Sequence, residues 1–363
     1  MELKSVELKN FRNYNNEHLF FKSGINVLVG KNAQGKTNLL ESIFLCAIGK
    51  SPRTAKEKDL IKWDCSYAKV VIEIERLSGN KKIEFYLFEN QSKSIKINGF
   101  SLKKIGELMG EFNAIYFSPD ELKLVKASPV ERRKFMDISL SQISKTYFYN
   151  LSKYNKILIQ RNKLLKVSPN KKVLLETLPI WNEQLAEVGA KIILDRKNFI
   201  SKLKTFTASS HKYLTHEKEL LELEYMGIKG DNEEQIKENF LTSLKTDAEK
   251  DYSMGYTTSG PHRDDIKILL NNVDVRNFGS QGQQRTSALS LKLAELEFYN
   301  SIFGEYPVLL LDDVLSELDD ERKNKLLDKI KNFQSIISCT KFEFDIPATI
   351  FNVENGKTTE QVL

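Results

Sequence analysis

The first 118 residues alternate short apolar runs with turn signals. Each run has the length and the content of Val, Ile, Phe and Tyr that are typical of β-strands. Turn sequences such as Ser78-Gly79-Asn80 and Asn98-Gly99 separate some of the runs. The pattern predicts strands at residues 4–8, 25–29, 69–75, 83–88, 94–98 and 114–117. From about residue 218 onward the chain returns to mixed strands and helices, so both ends of the chain are expected to build one α/β domain.

The segment between these ends reads differently. Residues 119–217 contain a single glycine, Gly189, and carry apolar residues at helical spacing. A helix start is predicted where Ser128 precedes Pro129 and Glu131 lies three residues after the serine, as in a capping box.

The helical pattern continues to residue 165 and is expected to break at Val167-Ser168-Pro169-Asn170. Residues 173–214 then predict one or two further helices. We therefore expect a discontinuous α/β head, residues 1–118 plus 218–363, with an inserted helical lobe at residues 119–217.

Charge is distributed unevenly between these parts. The chain has 55 Lys and Arg against 49 Asp and Glu, a net charge of +6. Residues 119–217 have 19 basic and nine acidic residues, a net +10, which leaves −4 for the remainder. The insert is therefore either a basic module that touches DNA phosphates or an ordinary helical domain with a lysine-rich surface. These two interpretations are about equally supported by composition.

Composition narrows the class of protein further. At 40% hydrophobic and 29% charged residues the chain is neither disordered nor collagen-like. Its three cysteines form no CxxC pair, which argues against a zinc site or a disulfide framework. There is no apolar run of about 18 residues, and Met1-Glu2-Leu3-Lys4 is not expected to begin a signal peptide, so we expect a cytoplasmic protein without a membrane partner.

One sequence motif is typical of a phosphate-binding loop. Gly30-Lys31-Asn32-Ala33-Gln34-Gly35-Lys36-Thr37 matches GxxxxGK[ST] and lies between a predicted buried strand and a predicted helix. The glycines allow a tight loop whose backbone N–H groups face phosphates, and the helix N-terminus adds a partial positive charge. Lys36 would reach the β- and γ-phosphates, and the Thr37 hydroxyl would complete a Mg²⁺ shell. We expect a nucleoside triphosphate, ATP, to bind here with Mg²⁺.

An acidic pair is the expected partner of this loop. Four apolar residues at 308–311 predict a strand buried on both faces, and Asp312 and Asp313 follow at its carboxyl end, where ligands bind in parallel sheets. Asp312 is expected to hold Mg²⁺, and Asp313 to orient or deprotonate the attacking water. The alternative interpretation is that the pair only caps the following turn.

A second turn that leads into a helix lies far along the chain. Ser280-Gln281-Gly282-Gln283 is a small, flexible turn followed by a helix predicted to about residue 299. It resembles a second phosphate-binding helix N-terminus. Because the chain already has one, this turn is expected to serve a nucleotide presented by a second copy, with Ser316-Glu317-Leu318-Asp319 near the same junction.

These motifs, in this order, resemble the ATP-binding cassette (ABC) superfamily and its SMC-like DNA-repair branch. The chain resembles the RecF family of bacterial recombination mediators in particular, over nearly its whole length. The residues that carry the resemblance are Leu8-Lys9-Asn10-Phe11-Arg12-Asn13-Tyr14, Arg53-Thr54, Pro119-Asp120, Lys126-Ala127-Ser128-Pro129, Arg132-Arg133, Gly260-Pro261-His262-Arg263-Asp264-Asp265, Gln281-Gly282-Gln283-Gln284-Arg285-Thr286 and Leu311-Asp312-Asp313-Val314-Leu315-Ser316-Glu317-Leu318-Asp319-Asp320.

The resemblance implies an α/β P-loop fold: an ABC-type ATPase head with mixed sheets and flanking helices, and an inserted all-α second lobe. It also implies an ATP-dependent homodimer in which Lys36 and Thr37 of one copy face Ser280 and Gln283 of the other. The implied function is DNA replication, recombinational repair and SOS induction on double-stranded, single-stranded and gapped DNA, with RecR and RecO as partners in loading RecA. ATP hydrolysis would be weak, stimulated by DNA, and would release the DNA.

Two positions depart from the superfamily pattern. Asp313 stands where the superfamily has Glu and is one methylene shorter, which predicts slow turnover. Ser338-Cys339-Thr340 offers no His, which leaves Thr340 as the candidate γ-phosphate sensor. The glutamine loop is not placed.

Several residues keep two interpretations. Arg12 contacts the nucleotide base or DNA, or is a simple surface residue. Arg132 and Arg133 contact DNA phosphates or bind a carboxylate, and His262 senses phosphate or shapes a turn.

Other functions remain open as alternatives. One is a P-loop phosphotransferase that acts on a small molecule, against which the turn at Ser280 argues. The others are another SMC-like ABC ATPase and the cytosolic motor of a transporter, the latter disfavoured by the basic insert.

Overall fold

The computed structural model describes residues 1–167, 171–216 and 218–361, without the side chains of residues 171–175. The chain divides into two compact units: unit 1 comprises Met1–Leu122 and Leu289–Leu363, and unit 2 comprises Lys123–Ala288. The first boundary lies within a few residues of the predicted one. The second differs, because residues 218–288 pack with the helices of unit 2 rather than with unit 1.

One sheet of unit 1 has five parallel strands and an antiparallel edge strand, in the order β15-β14-β3-β13-β12-β8. The central strands are short apolar runs buried along nearly their whole length, as expected of a sheet covered on both faces. Its strands are β3 (Ile25–Val29), β8 (Ala114–Phe117), β12 (Val308–Asp312), β13 (Ser335–Cys339), β14 (Ala348–Glu354) and β15 (Lys357–Glu360). The predicted strands at 25–29 and 114–117 are confirmed.

The helices of unit 1 are α1 (Lys36–Ile48), most of α9 (Gln281–Phe303), which begins in unit 2, and α10 (Asp320–Ile330). Helix α1 is buried nearly all round, which fits its apolar sequence. It ends at Gly49, whose φ of 73° is the left-handed conformation that glycine adopts without a steric cost.

The second sheet of unit 1 is antiparallel, in the order β2-β1-β4-β5-β6-β7. Its strands are β1 (Glu2–Phe11), β2 (Tyr14–Phe20), β4 (Tyr67–Glu75), β5 (Lys81–Phe88), β6 (Ser94–Ile97) and β7 (Phe100–Ser101). Strands β2 and β7 were not predicted. Strand β2 reads Tyr-Asn-Asn-Glu-His-Leu-Phe and buries only its first and sixth residues, so it lacks an apolar alternation.

The helices of unit 2 that precede residue 217 are α2 (Lys123–Lys126), α3 (Pro129–Ile143), α4 (Lys145–Val167) and α5 (Lys171–Thr215). Ser128 precedes α3 as predicted, although its side chain makes no capping hydrogen bond. Ser144 is extended and separates α3 from α4, and its hydroxyl accepts a hydrogen bond from the backbone N–H of Tyr147 at 3.1 Å. Of the predicted break at 167–170, residues 168–170 lie outside the described residues.

The rest of unit 2 is a small antiparallel sheet in the order β11-β10-β9 with short helices beside it. The elements are β9 (Leu221–Met226), α6 (Glu233–Thr246), α7 (Ala248–Met254), β10 (Asp265–Leu270), β11 (Val273–Asp274) and α8 (Val275–Phe278). Strand β9 pairs with β10 and packs against α5, which is why residues 218–288 belong to this unit.

Candidate nucleotide-binding site

The P-loop connects the carboxyl end of β3 to the first turn of α1 in unit 1, as predicted. Neither of its two glycines has room for a side chain. A Cβ at Gly30 would lie 2.3 Å from the carbonyl oxygen of Val353, and Gly35, with φ of 120°, would place a Cβ 2.7 Å from Nδ2 of Asn13. Tyr14 donates a hydrogen bond to the carbonyl of Gly35 at 3.0 Å, which ties the loop to β2.

Lys36 lies folded into this loop. Its Nζ donates hydrogen bonds to the carbonyl oxygens of Gly30 at 2.5 Å and Lys31 at 2.8 Å, and the residue is 7% exposed. Burial lowers the pKa of the ammonium, while the carboxylates of Asp313 and Asp312 oppose that shift. The remaining loop residues predicted to bind nucleotide, Asn32, Ala33 and Gln34, lie between the glycines, and Ala33 has a left-handed φ of 65°.

Asp312 ends β12 as predicted and is held by three hydroxyl groups. Thr37 and Ser338 donate to its Oδ1 at 2.9 and 2.7 Å, and Tyr116 donates to its Oδ2 at 2.7 Å. The parallel pairing of β8, β12 and β13 brings Tyr116 and Ser338 to the same edge of the sheet. Burial, with Asp312 beside it, raises the pKa of Tyr116, so the phenol stays a neutral donor.

Neither Tyr116 nor Ser338 was assigned a role from the sequence. No local motif marks Tyr116, the third residue of the buried strand β8, because its partner Asp312 is 196 residues away. Ser338 is buried and contacts Asp312, whereas Thr340 is exposed and its predicted role as the γ-phosphate sensor stays a prediction.

Asp313 follows in the left-handed conformation, with φ of 54°. Its backbone N–H donates to the hydroxyl of Ser338 at 3.0 Å, which fixes the turn. Burial raises the pKa of the Asp313 carboxyl, and the neighbouring Asp312 adds to that shift. A carboxylate with a raised pKa is a stronger base for a water molecule.

Arg12 is fixed by a buried carboxylate that the sequence analysis missed. Its Nε and Nη2 donate to Oε2 and Oε1 of Glu41 at 2.9 and 2.8 Å, and its Nη1 donates to the carbonyl of Asp59 at 2.8 Å. Arg53 also contacts Glu41, at 3.3 Å. Glu41 is fully buried in α1, and a lone acid inside an apolar helix was the signal for it. The predicted contact of Arg12 with a base or with DNA stays a prediction.

The turn before α9 lies in unit 2. Ser280 and Gln283 form a reciprocal capping box: the backbone N–H of Ser280 donates to Oε1 of Gln283 at 2.9 Å, and the Ser280 hydroxyl accepts from the Gln283 N–H at 3.2 Å. Gln283 also donates to Glu219 at 2.8 Å. Ser280, Gln281 and Gly282 are exposed. The N-terminus of this 23-residue helix therefore faces solvent with its positive dipole end.

The GPHRDD motif at residues 260–265 is a structural junction in unit 2. Arg132, which is 2% exposed, binds the carboxylate of Asp265 through Nε at 2.5 Å and Nη2 at 3.0 Å. Arg133 donates to the carbonyl of Asp264 at 2.7 Å. Of the two interpretations of Arg132, the carboxylate partner is therefore the one in the structure. His262 lies between Tyr154 and the carbonyl of Thr257, and burial lowers its pKa to about 4.

Together, the loop, Thr37 and Asp312 could hold a nucleotide and a metal ion. Thr37 and Asp312 offer only oxygen ligands, and their hydrogen bond places those oxygens 2.9 Å apart. Mg²⁺ prefers oxygen ligands and usually keeps several waters, so these two residues fit it.

The order of these motifs and the sheet around them define a P-loop ATPase head of the ABC and SMC type. The family model described as "RecF/RecN/SMC N terminal domain" matches residues 2–346. An SMC head domain from Pyrococcus furiosus shares the fold at 16% identity, with a TM-score of 0.57 over 99% of this chain and 96% of that one.

Relatives with higher sequence identity narrow this class of ATPase heads to one family. Proteins described as "DNA replication and repair protein RecF" are 46% identical in Ruminiclostridium cellulolyticum, over 94% of each chain, and 47% identical in Clostridium botulinum, over 98% of this chain and 99% of the relative. A solved structure of "the recombination mediator protein RecF-ATPrS in RecFOR pathway" is 40% identical, with a TM-score of 0.92 over 99% of this chain and 98% of that one. The chain belongs to the RecF family of DNA replication and repair proteins.

No helix within the described part of the chain combines the length and apolar character that a membrane span requires.

Proposed function

We propose that the P-loop of unit 1 binds ATP with Mg²⁺ and that bound ATP pairs two copies of the chain head to head. The observation that carries this proposal is the group of side chains at the end of the parallel sheet, where Lys36 lies in the loop and Thr37 contacts Asp312. A solved structure of a relative, 40% identical to this chain over 97% of its own length, is described as RecF-ATP, which supports ATP as the nucleotide that binds here.

In this proposal each side chain has one task. Lys36 leaves its two carbonyl partners and contacts the β- and γ-phosphates, while Thr37 and Asp312 hold Mg²⁺. When bound there, Mg²⁺ would neutralise the charge of the phosphates. Asp313 orients the attacking water and accepts its proton, for which its raised pKa is suited. Because Asp is one methylene shorter than the Glu of the superfamily pattern, we expect slow hydrolysis.

Ser280 and Gln283 supply the second half of the site to the partner copy. The exposed, capped start of α9 presents backbone N–H groups and the positive end of a helix dipole, which suits a γ-phosphate. ATP would thereby hold two heads together and promote binding to DNA at gaps and junctions, and hydrolysis would release the DNA.

Membership of the RecF family suggests the cellular role. We propose RecR and RecO as partners in loading RecA, and we propose that the protein acts in the cytoplasm during the SOS response. As functional parts we propose the ATP-binding head of residues 1–118 plus 218–363 and the basic helical insert of residues 119–217, although residues 218–288 pack with the insert in unit 2.

Pairing is tested by the variant Ser280→Arg. Sedimentation velocity of the wild type with Mg²⁺ and a slowly hydrolysed ATP analogue should show a species of twice the chain mass, and the variant should stay a monomer. The lost cap costs about 1 kcal/mol, so the variant should remain folded and bind ATP as a monomer. The matched control is Ser201→Arg on the exposed face of α5, which should dimerise as the wild type does. A monomeric wild type with ATP bound would instead favour the phosphotransferase alternative.

The variant Tyr116→Phe tests whether the hydrogen bond from Tyr116 positions Asp312 for Mg²⁺. Loss of a partner that orients a metal ligand typically weakens metal affinity by about 10–100-fold. The concentration of Mg²⁺ needed for half-maximal binding of a fluorescent ATP analogue should therefore rise by about tenfold or more. Tyr86→Phe is the control, since Tyr86 donates to Glu84 in the antiparallel sheet and should leave this value unchanged. An unchanged Mg²⁺ dependence in Tyr116→Phe would show that Thr37 and Ser338 are sufficient to hold Asp312.

A further inference from the structure

Helix α4 of unit 2 has an unusual charge composition. Its 23 residues include six basic residues and no Asp or Glu. The helix therefore carries a charge of +6, as large as the net charge of the whole chain. Arg161 is the buried one, and its guanidinium binds the buried carboxylate of Asp251 at 2.7 Å. The five lysines are exposed.

Most of these lysines lie on one narrow face. At 100° per residue, positions 145, 153, 156 and 163 fall within about 40° of the direction of Tyr149, and Gln160 lies among them. We call Lys145, Tyr149, Lys153, Lys156, Gln160 and Lys163 the lysine stripe. With a rise of 1.5 Å per residue the stripe is about 27 Å long.

The stripe differs from three lysines of the neighbouring helix α5, which have ion pairs. Lys191, Lys197 and Lys204 of α5 pair with Glu233, Asp231 and Glu222 at 4.0, 3.0 and 3.0 Å. Within the described residues, Lys153, Lys156 and Lys163 have no ion pair. Lys153 and Lys156 are three residues apart, where like charges on a helix repel each other. The charges of these three lysines are therefore not balanced by ion pairs within the described residues, and an external polyanion would balance them.

The kinds of side chain in and beside the stripe indicate which polyanion it binds. A membrane surface helix would present a continuous face of large apolar side chains beside the lysines, whereas the large apolar residues that α4 exposes are Tyr149, Ile159 and Val167, too few for such a face. Single-stranded nucleic acid is held largely by stacking on aromatic residues. The stripe has one aromatic residue, Tyr149, which is 40% exposed. A straight row of cations with hydroxyl and amide groups among them fits a row of phosphates, which are contacted by Lys, Tyr and Gln alike.

We propose that the lysine stripe of α4 contacts the phosphate backbone of duplex DNA. This assignment rests on the proposed DNA-binding function and adds to it the surface that makes the contact. It also assigns the sequence-independent part of the affinity for DNA to α4 rather than to Arg132, whose guanidinium forms an ion pair with Asp265.

The test is the triple variant Lys153→Gln, Lys156→Gln, Lys163→Gln in the full chain. Glutamine has nearly the helix propensity of lysine, so α4 should remain folded. Affinity for a duplex is measured against salt concentration with Mg²⁺ and a slowly hydrolysed ATP analogue. For duplex DNA the log–log slope changes by about 0.9 per phosphate contact, so the triple variant should lose about 2.7 from the slope. The matched control removes the same charge from α5, in Lys191→Gln, Lys197→Gln, Lys204→Gln, and should change the slope by less than one contact.

The outcomes separate the stripe from the proposed function. If the wild type binds duplex and the α4 variant keeps the wild-type slope, or the α5 control loses as much, the stripe assignment is overturned while DNA binding stands. If the α4 variant binds DNA as the wild type does but no longer forms the ATP-dependent dimer, the stripe contacts a second copy of the chain and the assignment to DNA is also overturned. Absence of DNA binding by the wild type in every nucleotide state would overturn the DNA-binding function, and the stripe assignment with it.

Discussion

Replacing Lys36 with methionine should lower the affinity for ATP by roughly 100-fold or more. The ammonium lies in the P-loop on the carbonyl oxygens of Gly30 and Lys31 and is the cation of the loop placed to meet the phosphates. Hydrogen bonds to charged groups contribute about 1.5–3 kcal/mol each, and two such contacts with phosphates correspond to roughly 100-fold or more in affinity. Methionine fills a similar volume without the charge, so the loop itself should keep its shape.

The measurement is a titration of each protein with a fluorescent ATP analogue in the presence of Mg²⁺. Lys58→Met is the control, because Lys58 is an exposed lysine of unit 1 and its loss changes the net charge equally. It should bind ATP within about twofold of the wild type, since exposed charges are screened. Tight ATP binding by Lys36→Met would refute the assignment of the P-loop.

The second large effect is expected on stability. Arg161 and Asp251 are both fully buried in unit 2, with Nη1 of Arg161 2.7 Å from Oδ2 of Asp251. Arg161 also donates to Asn182 at 2.9 Å and Thr257 at 2.7 Å. Arg161→Met would leave the carboxylate of Asp251 buried without its cation. Breaking a buried ion pair in this way costs about 3–5 kcal/mol, so the free energy of unfolding of unit 2 should fall by about that amount.

Urea denaturation followed by circular dichroism measures this loss as a shift of the midpoint. Lys163→Met, on the same helix but exposed, should change the free energy of unfolding by less than about 0.5 kcal/mol. Adding Asp251→Asn to Arg161→Met should recover part of the loss, because the remaining group is then neutral. A loss below about 1 kcal/mol in Arg161→Met would mean that the pair is not a principal support of this unit.

Strands β3, β8 and β12 of the parallel sheet were the most predictable part of the fold. Runs such as 25–29 and 114–117 are apolar at nearly every position because the sheet is covered on both faces, and their limits were predicted correctly. Strand β2 was missed because its sequence is mostly polar and its pairing with β1 stabilises it. The predicted helix from residue 129 to 165 is two helices, because Ser144 ends one and caps the next, which helical spacing alone does not reveal.

The site was predictable where a motif fixes its chemistry locally. The P-loop and the position of Asp312 at a strand end follow from glycine spacing and an apolar run. Tyr116 and Glu41 could not be found in this way, because their partners, Asp312 and Arg12, are 196 and 29 residues distant in sequence. Arg132 shows the converse: a basic residue near a helix start suggested DNA, but a carboxylate 133 residues away binds it.

DNA binding by the wild-type chain in three nucleotide states tests the central claim most directly. Affinity for a duplex, a gapped duplex and a single strand would be measured at one fixed salt concentration with Mg²⁺ and a slowly hydrolysed ATP analogue, with ADP, and without nucleotide. If ATP couples the pairing of heads to DNA, duplex-containing DNA should bind at least about tenfold more tightly in the ATP state, within the usual range of such coupling. Equal affinity in all three states would contradict the account of an ATP-gated DNA-binding protein.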